Sequence, residues 1–252
     1  MKLLYEVKER EKLPISVGEQ LLLDIDKLPM FKLVYPPITF RNWKSRRFVV
    51  DEWGNLIALV SNEYRLTQPK EILFKFAELI KDKVTGYEIY YYNGAFTCKF
   101  RLKDIVEFGD DKLKLGLLYI DSVNALKRLR ITFAPTLLSC MNDLIVKKHT
   151  LASRHVRLIT SNVKRFLAMF KTWLYDLSII KQMKESMMNT KLSFENFKEI
   201  IKDLDIPLRY YENIKWCNGY TLWDLYMDLT RNLTRLNAPL QYHLRVAKLG
   251  GI

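Results

Sequence analysis

The stretch Tyr87-Glu88-Ile89-Tyr90-Tyr91-Tyr92-Asn93-Gly94-Ala95-Phe96-Thr97-Cys98-Lys99-Phe100-Arg101-Leu102 decides the fold. Asn93-Gly94 between two runs rich in aromatic and β-branched residues predicts a type I′ turn, because both central positions of that turn need positive φ. A two-residue turn fixes the pairing by arithmetic. Tyr92 opposes Ala95, Tyr91 opposes Phe96, Ile89 opposes Cys98, Tyr87 opposes Phe100 and Glu88 opposes Lys99. One face of the hairpin is then apolar. The other pairs Glu88 with Lys99 and presents Tyr90, Tyr92, Thr97 and Arg101.

Upstream, Pro69 opens a helix in which Ile72, Leu73, Phe76, Leu79 and Ile80 share one face, and Gly86 follows its end. Before it, Arg47-Phe48-Val49-Val50-Asp51 and Asn55-Leu56-Ile57-Ala58-Leu59-Val60 read as a second hairpin around Glu52-Trp53-Gly54, with Gly54 at positive φ. Residues 1–46 contain Pro14, Pro29, Pro36 and Pro37 without clear periodicity. They read as an irregular N-terminal arm ending in the cations Arg41, Lys44, Arg46 and Arg47.

Downstream, Leu113 to Asp121 and Lys127 to Phe133 read as strands. In the second, Leu129, Ile131 and Phe133 alternate with Arg128, Arg130 and Thr132, which turns both arginines away from the core. Pro135 is read as opening a short helix through Val146, followed by a basic connector. From about Ser153, Ile159, Val163, Phe166, Phe170, Trp173, Leu177 and Ile180 recur at helical spacing, predicting a long amphipathic helix across the sheet. Two capped helices close the chain. One starts at Ser193 with Phe194, Phe197, Ile200, Ile201 and Leu204, and the other at the capping box Thr221-Leu222-Trp223-Asp224. The expected fold is α+β: an antiparallel β-sheet core with hairpins, a long amphipathic helix packed on the sheet and a helical C-terminal part. The boundaries are 1–46 for the arm, 47–188 for the core and 189–252 for the C-terminal region.

Composition agrees with a packed globular chain, since 49% of the 252 residues are hydrophobic, 27% are charged, and there are 9 Gly and 8 Pro. No run approaches the roughly 18 apolar residues of a membrane span, and charge enters the N-terminus too early for a signal peptide. Cys98, Cys140 and Cys217 are too few and too widely spaced for a disulfide framework or a CxxC metal pair. A reducing cytoplasm, a host's if the protein is viral, is the expected location.

The net charge is +13, from 41 Lys and Arg against 28 Asp and Glu, which points to a polyanionic partner. Lys127, Arg128, Arg130, Lys147, Lys148, Arg154, Arg157, Lys164, Arg165 and Lys171 face the single acid Asp143 in the stretch between the first and the last of them. Such a concentration suits phosphate neutralisation with release of counterions. Of these, Arg128, Arg130, Lys147, Lys148, Arg154, Arg157, Lys164 and Arg165 are the expected phosphate contacts. Tyr90 and Tyr92, beside Lys99 and Arg101, are the expected base-stacking group.

No GxxxxGK[ST] or GxGxxG motif is present, and Cys140, His149 and His155 match no zinc spacing. No catalytic residue, metal or cofactor is therefore expected. The alternatives are a viral assembly or transcription-machinery component, and a metal-dependent nuclease using Glu107, Asp110, Asp111 and Asp121.

Several short motifs occur in a recognisable order. Tyr64-Arg65-Leu66-Thr67-Gln68 precedes Asp121-Ser122-Val123-Asn124-Ala125-Leu126, then Leu129-Arg130-Ile131, Cys140-Met141-Asn142-Asp143-Leu144 and Ser153-Arg154-His155. Thr221-Leu222-Trp223-Asp224-Leu225 and Asp228-Leu229-Thr230 follow. Together they resemble a phage- and plasmid-encoded family of unknown function over residues 60–236, although Ser122 stands where that family has Gly after the Asp. A strand-rich core followed by a long helix is also similar, at the level of fold, to single-strand annealing proteins of the Redβ and RecT type. That likeness implies a homo-oligomer holding single-stranded DNA in a basic groove, active in recombination or replication without nucleotide hydrolysis. Trp223, Tyr226 and Leu233 would supply apolar contacts between subunits.

Overall fold

In the computed structural model, which describes residues 2–8, 15–35, 46–108, 111–124, 129–137, 142–143, 146–153 and 178–250, the decisive hairpin has the expected register. Strands β5 (Val84–Tyr92) and β6 (Ala95–Phe108) pair Tyr92 with Ala95, Tyr91 with Phe96, Ile89 with Cys98, Glu88 with Lys99 and Tyr87 with Phe100. Asn93 at φ 44° and Gly94 at φ 76° make the turn. Gly94 is needed twice over, because a Cβ there would stand 2.5 Å from the Ile57 and 2.8 Å from the Val123 side chain. Tyr87, Ile89, Phe96, Cys98 and Phe100 are buried, so the apolar face is core.

The N-terminal segment contributes regular structure. Strand β1 (Lys2–Val7) pairs antiparallel with β5. Helix α1 (Val17–Asp26) starts at a capping box in which Ser16 accepts from the Glu19 amide and Glu19 accepts from the Ser16 amide. It packs against α2 (Pro69–Ile80). Contact is close at Gly18, where a Cβ would lie 2.2 Å from the Lys81 carbonyl oxygen. On α2, Ile72, Leu73, Phe76, Ala77 and Ile80 are buried, while Leu79 is 55% exposed. The sequence placed Leu79 on the same stripe. At roughly 100° per residue it sits just past Ile72, on the rim of a stripe centred between Phe76 and Ile80.

A three-stranded sheet has the order β2-β3-β4, from β2 (Phe31–Val34), β3 (Arg46–Asp51) and β4 (Leu56–Ser61). The β3–β4 hairpin is the expected one, with Gly54 at φ 87°. Asp51 closes it by accepting from the Trp53 amide at 3.1 Å, the Asn55 amide at 2.7 Å and the Asn55 side chain at 2.9 Å.

The larger sheet continues through β7 (Asp111–Ser122), β8 (Leu129–Phe133) and β11 (Val146–Ser153) in the order β1-β5-β6-β7-β8-β11. Beside β7 lies β9 (Thr136–Leu137), which pairs in turn with β10 (Asn142–Asp143). Two expectations are corrected here. The stretch after Pro135 is not a helix through Val146. Thr136 and Leu137 pair with Lys114 and Leu113, and Asn142 and Asp143 pair back onto them. The basic connector is strand β11. A short run with a β-branched residue reads as helix or strand from local signals alone, and here the available edge of β7 decides. Of the long amphipathic pattern, Ser153 ends β11 and Ile180 is buried in α3 (Ser178–Asn189). Its other positions lie outside the described residues.

The chain divides into two compact units, residues 1–104, 116–132 and 150–172 in the first and 105–115, 133–149 and 173–252 in the second. In the second, α4 (Phe194–Asp203) starts at Ser193 and α5 (Leu222–Arg235) at the Thr221–Asp224 capping box, both as expected. α6 (Leu240–Val246) follows. Trp223, Tyr226 and Leu233 are buried within this unit, where the Trp223 and Tyr226 rings stack at 5.8 Å and Lys184 lies over both Phe108 and Trp223. They are core, not the free apolar contacts expected between subunits. The protein is α+β, with antiparallel sheets. Among the described residues no helix is long and apolar enough to cross a membrane.

Candidate nucleic-acid interface

The hairpin's polar face is organised around Glu88. Arg101 forms an ion pair with this carboxylate, and the Tyr90 hydroxyl donates to it at 2.7 Å. Burial pushes the Tyr90 hydroxyl well above its ordinary range, and the bond to Glu88 and its charge add to the effect. Tyr90 and Arg101 are therefore already engaged, and with β1 alongside, β5 is an interior strand. Of the residues expected on this face, Tyr90 and Arg101 are thus bonded to Glu88, and Thr97 is buried. Lys99 faces Glu88 in the register and is half-buried. Tyr92, beside the turn and 66% exposed, is the tyrosine of the pair with an accessible ring.

On β8, Leu129, Ile131 and Phe133 are buried and Arg130 is exposed, so this arginine points outward as its alternation requires. Thr132, expected on the same outer face, is buried. Lys147 and Lys148 are consecutive on β11, the last strand of the sheet order. Arg128, Arg154, Arg157, Lys164 and Arg165 lie outside the described residues.

Of the carboxylates proposed for a nuclease, those among the described residues belong to strands. Asp121 is fully buried at the end of β7, where it accepts from the Tyr119 hydroxyl at 3.1 Å and the Ser122 amide at 2.8 Å. Burial, with the charge of Asp121 next, pushes both the Tyr119 and Cys98 groups up, so the Cys98 thiol is held protonated. Glu107 belongs to β6 and pairs with Lys112 at 3.7 Å, Asp111 begins β7, and Asp110 lies outside the described residues. Cys140 and His155 also lie outside them, and His149 is placed by its backbone in β11. Among the described residues no three His, Cys, Asp or Glu side chains gather where they could hold a metal.

The Tyr64 hydroxyl donates to the Val123 carbonyl at 3.0 Å, joining the segment that leads into α2 to the end of β7. The stretch beginning at Tyr64 and the one beginning at Asp121 thus meet in the first unit. No protein-family model, curated protein or solved structure matches the chain.

In the second unit a shallow cleft is lined by Cys217, Tyr220, Asp224, Met227, Asp228 and Arg231. Tyr220, Asp224, Asp228 and Arg231 bond to one another or to the adjoining helix cap. The Tyr220 hydroxyl donates to Asp228 at 2.6 Å, Arg231 pairs with Asp228 at 3.0 Å, and Asp224 accepts from Thr221.

A surface that sequence reasoning passed over lies on the three-stranded sheet. One of its faces carries Lys32, Val34, Arg46, Phe48, Val50 and Leu59, of which Val50 is buried and Val34 and Phe48 are half-buried. The signal was present in the alternation Arg46-Phe48 and Lys32-Val34. Joining these pairs into one face requires β2, which lies in the Pro-containing N-terminal segment without clear periodicity.

Proposed function

We propose that this protein binds nucleic acid, single-stranded DNA by preference, in the recombination or replication of a mobile element. It acts in the cytoplasm as a homo-oligomer, without hydrolysing nucleotides. The observation that carries this reading is the segregation of charge. Ten cations and one acid occupy the stretch from Lys127 to Lys171 of a chain with net charge +13. Of these cations, the described ones lie on strands, Arg130 exposed on β8 and Lys147 and Lys148 on β11. Phosphate contacts by such cations supply most of the affinity for a nucleic acid of any sequence.

The test is a gel shift with matched single-stranded DNA, duplex DNA and RNA across a salt series, with and without magnesium. Binding that favours the single strand and weakens steeply with salt is expected, with no cleavage in magnesium. Mixing complementary oligonucleotides with the protein should also speed duplex formation. Absence of binding at low salt would refute the reading, and cleavage in magnesium would return it to the nuclease alternative. Binding without any change in annealing rate would remove the annealing role.

A further inference from the structure

The three-stranded sheet ends in β4, Leu56-Ile57-Ala58-Leu59-Val60-Ser61, which has β3 on one side and, among the described residues, no strand on the other. The direction of its backbone groups follows from the turn. Asp51 donates its amide to the Asn55 carbonyl at 3.1 Å, so β3 turns Asp51 and, by alternation, Val49 and Arg47 toward β4. Their partners Ala58 and Val60 bond back to β3. Leu59 and Ser61 therefore direct their amides, and Leu59 its carbonyl, to the open edge, while the Ser61 carbonyl accepts from the Tyr64 amide at 3.1 Å.

A sheet edge with unpaired backbone groups is a template for another strand, and folded proteins guard such edges with charge, with proline or by keeping them short. The other strands at the ends of the sheet orders are guarded in this way. β1 carries Lys2 and Glu6, β11 carries Lys147 and Lys148, and β2 has four residues, one of them Lys32. β4 has six residues without charge or proline, and among the described strands longer than two residues it alone carries no charge. Its bulge at Ile57 lies near the strand's start and leaves Ala58 to Ser61 in regular register. Along this edge Leu59 is 41% and Leu56 58% exposed.

We propose that β4 is the edge at which two copies of this chain join, antiparallel about a two-fold axis, with Leu59 exchanging amide and carbonyl bonds with its own counterpart and the two small sheets becoming one. The assignment rests on the homo-oligomer in the reading above and adds to it the place where subunits meet. The identity of the partner follows from charge. Two chains of net charge +13 repel, and a strand without charge is where their backbones can approach without setting like charges opposite each other. A two-fold pairing also closes, because each copy's edge is taken up by the other, which gives a discrete dimer and leaves no template for further growth.

The experiment uses the full chain without nucleic acid. Its mass is followed by sedimentation over a dilution series, and amide hydrogen exchange is read by NMR at both ends of that series. A dimer that dissociates on dilution is expected. The Ala58 and Val60 amides should be protected at every concentration, because β3 holds them, and the Leu59 and Ser61 amides only where the dimer is populated. Leu59→Lys changes an exposed side chain, and it should raise the dimer dissociation constant by about tenfold or more, because it sets two like charges face to face. The exchange pattern of the unaltered chain keeps the test open if this variant folds poorly. A monomer at every concentration would overturn the pairing, and if it still bound DNA the nucleic-acid reading would stand. Open-ended aggregates would equally overturn the closed pairing. A dimer in which Leu59 and Ser61 exchange as fast as in the monomer would take β4 out of the interface while leaving the homo-oligomer. Equal protection of these two amides in monomer and dimer would show an edge covered within the chain, and would overturn the proposal as well.

Discussion

The Tyr87 hydroxyl donates a 2.6 Å hydrogen bond to the Asp24 carboxylate, linking the first strand of the central hairpin to α1 across 63 residues of sequence. Tyr87 is fully buried and Asp24 is 5% exposed. Lys27 and Gln20 complete the carboxylate's partners at 2.9 and 3.0 Å. Tyr87→Phe keeps the ring and removes one donor from a buried charge, so it should cost about 1–3 kcal/mol in urea unfolding. A loss within experimental error would mean that Lys27 and Gln20 suffice.

α1 meets the end of α2 at Gly18, where the nearest atom to an added Cβ is backbone and cannot rotate away. Gly18→Ala would ordinarily stabilise a helix, by about 1 kcal/mol. Here it should destabilise by about 1–3 kcal/mol, because α1 must move off Lys81. A gain in stability would show that the helices slide past one another without penalty.

Tyr64, Tyr90, Tyr119 and Tyr220 all have hydroxyls pushed above the ordinary value of 10.0, with burial the largest cause in each. Above that pH an unfolded tyrosine releases its proton while the folded one retains it. The folded state then binds more protons, and stability falls as pH rises. The contribution is complete below pH 10.0 and is lost above it, as pH rises through the folded values. Urea midpoints from about pH 8 to about pH 11 should be level and then decline. Tyr64→Phe and Tyr119→Phe together should flatten the decline, and an unchanged slope in that variant would assign it to other groups.

Tyr92→Ala should leave the melting temperature nearly unchanged, because its ring is exposed, whereas Tyr90→Ala removes a half-buried ring and a donor to Glu88. In single-strand binding, Tyr92→Ala should cost at most one stack, about 1–3 kcal/mol. A large binding loss from Tyr90→Ala, with its stability intact, would restore the role that the sequence suggested for this tyrosine.

Replacing Lys147 and Lys148 by Ala should lower the salt dependence of DNA affinity by about one to two phosphate equivalents. The slope of log affinity against log salt measures this directly. Equal slopes in variant and wild type would take β11 out of the phosphate-binding surface.

The parts legible in the amino-acid sequence are those that a few neighbouring residues decide. Asn93-Gly94 specified the turn and with it the pairing of Tyr87 with Phe100. Pro69 marked the start of α2, and Thr221 with Asp224 the start of α5. These signals are local, since a positive φ, a missing amide proton or a capping hydroxyl acts within one turn of chain. Tertiary structure decided what depends on a partner distant in sequence. Thr136 and Leu137 became strand because β7 offered an edge. Asp121 left the surface because β7 is buried on both faces. Arg101 was withdrawn from the cationic surface because Glu88 came within its reach from the neighbouring strand. β2 entered a sheet because Phe48 and Val49 lay beside it. A strand acquires its faces, and a charge its partner, only once the neighbouring strand is in place, so the shared face of Lys32, Arg46 and Phe48 could be seen only in the folded chain.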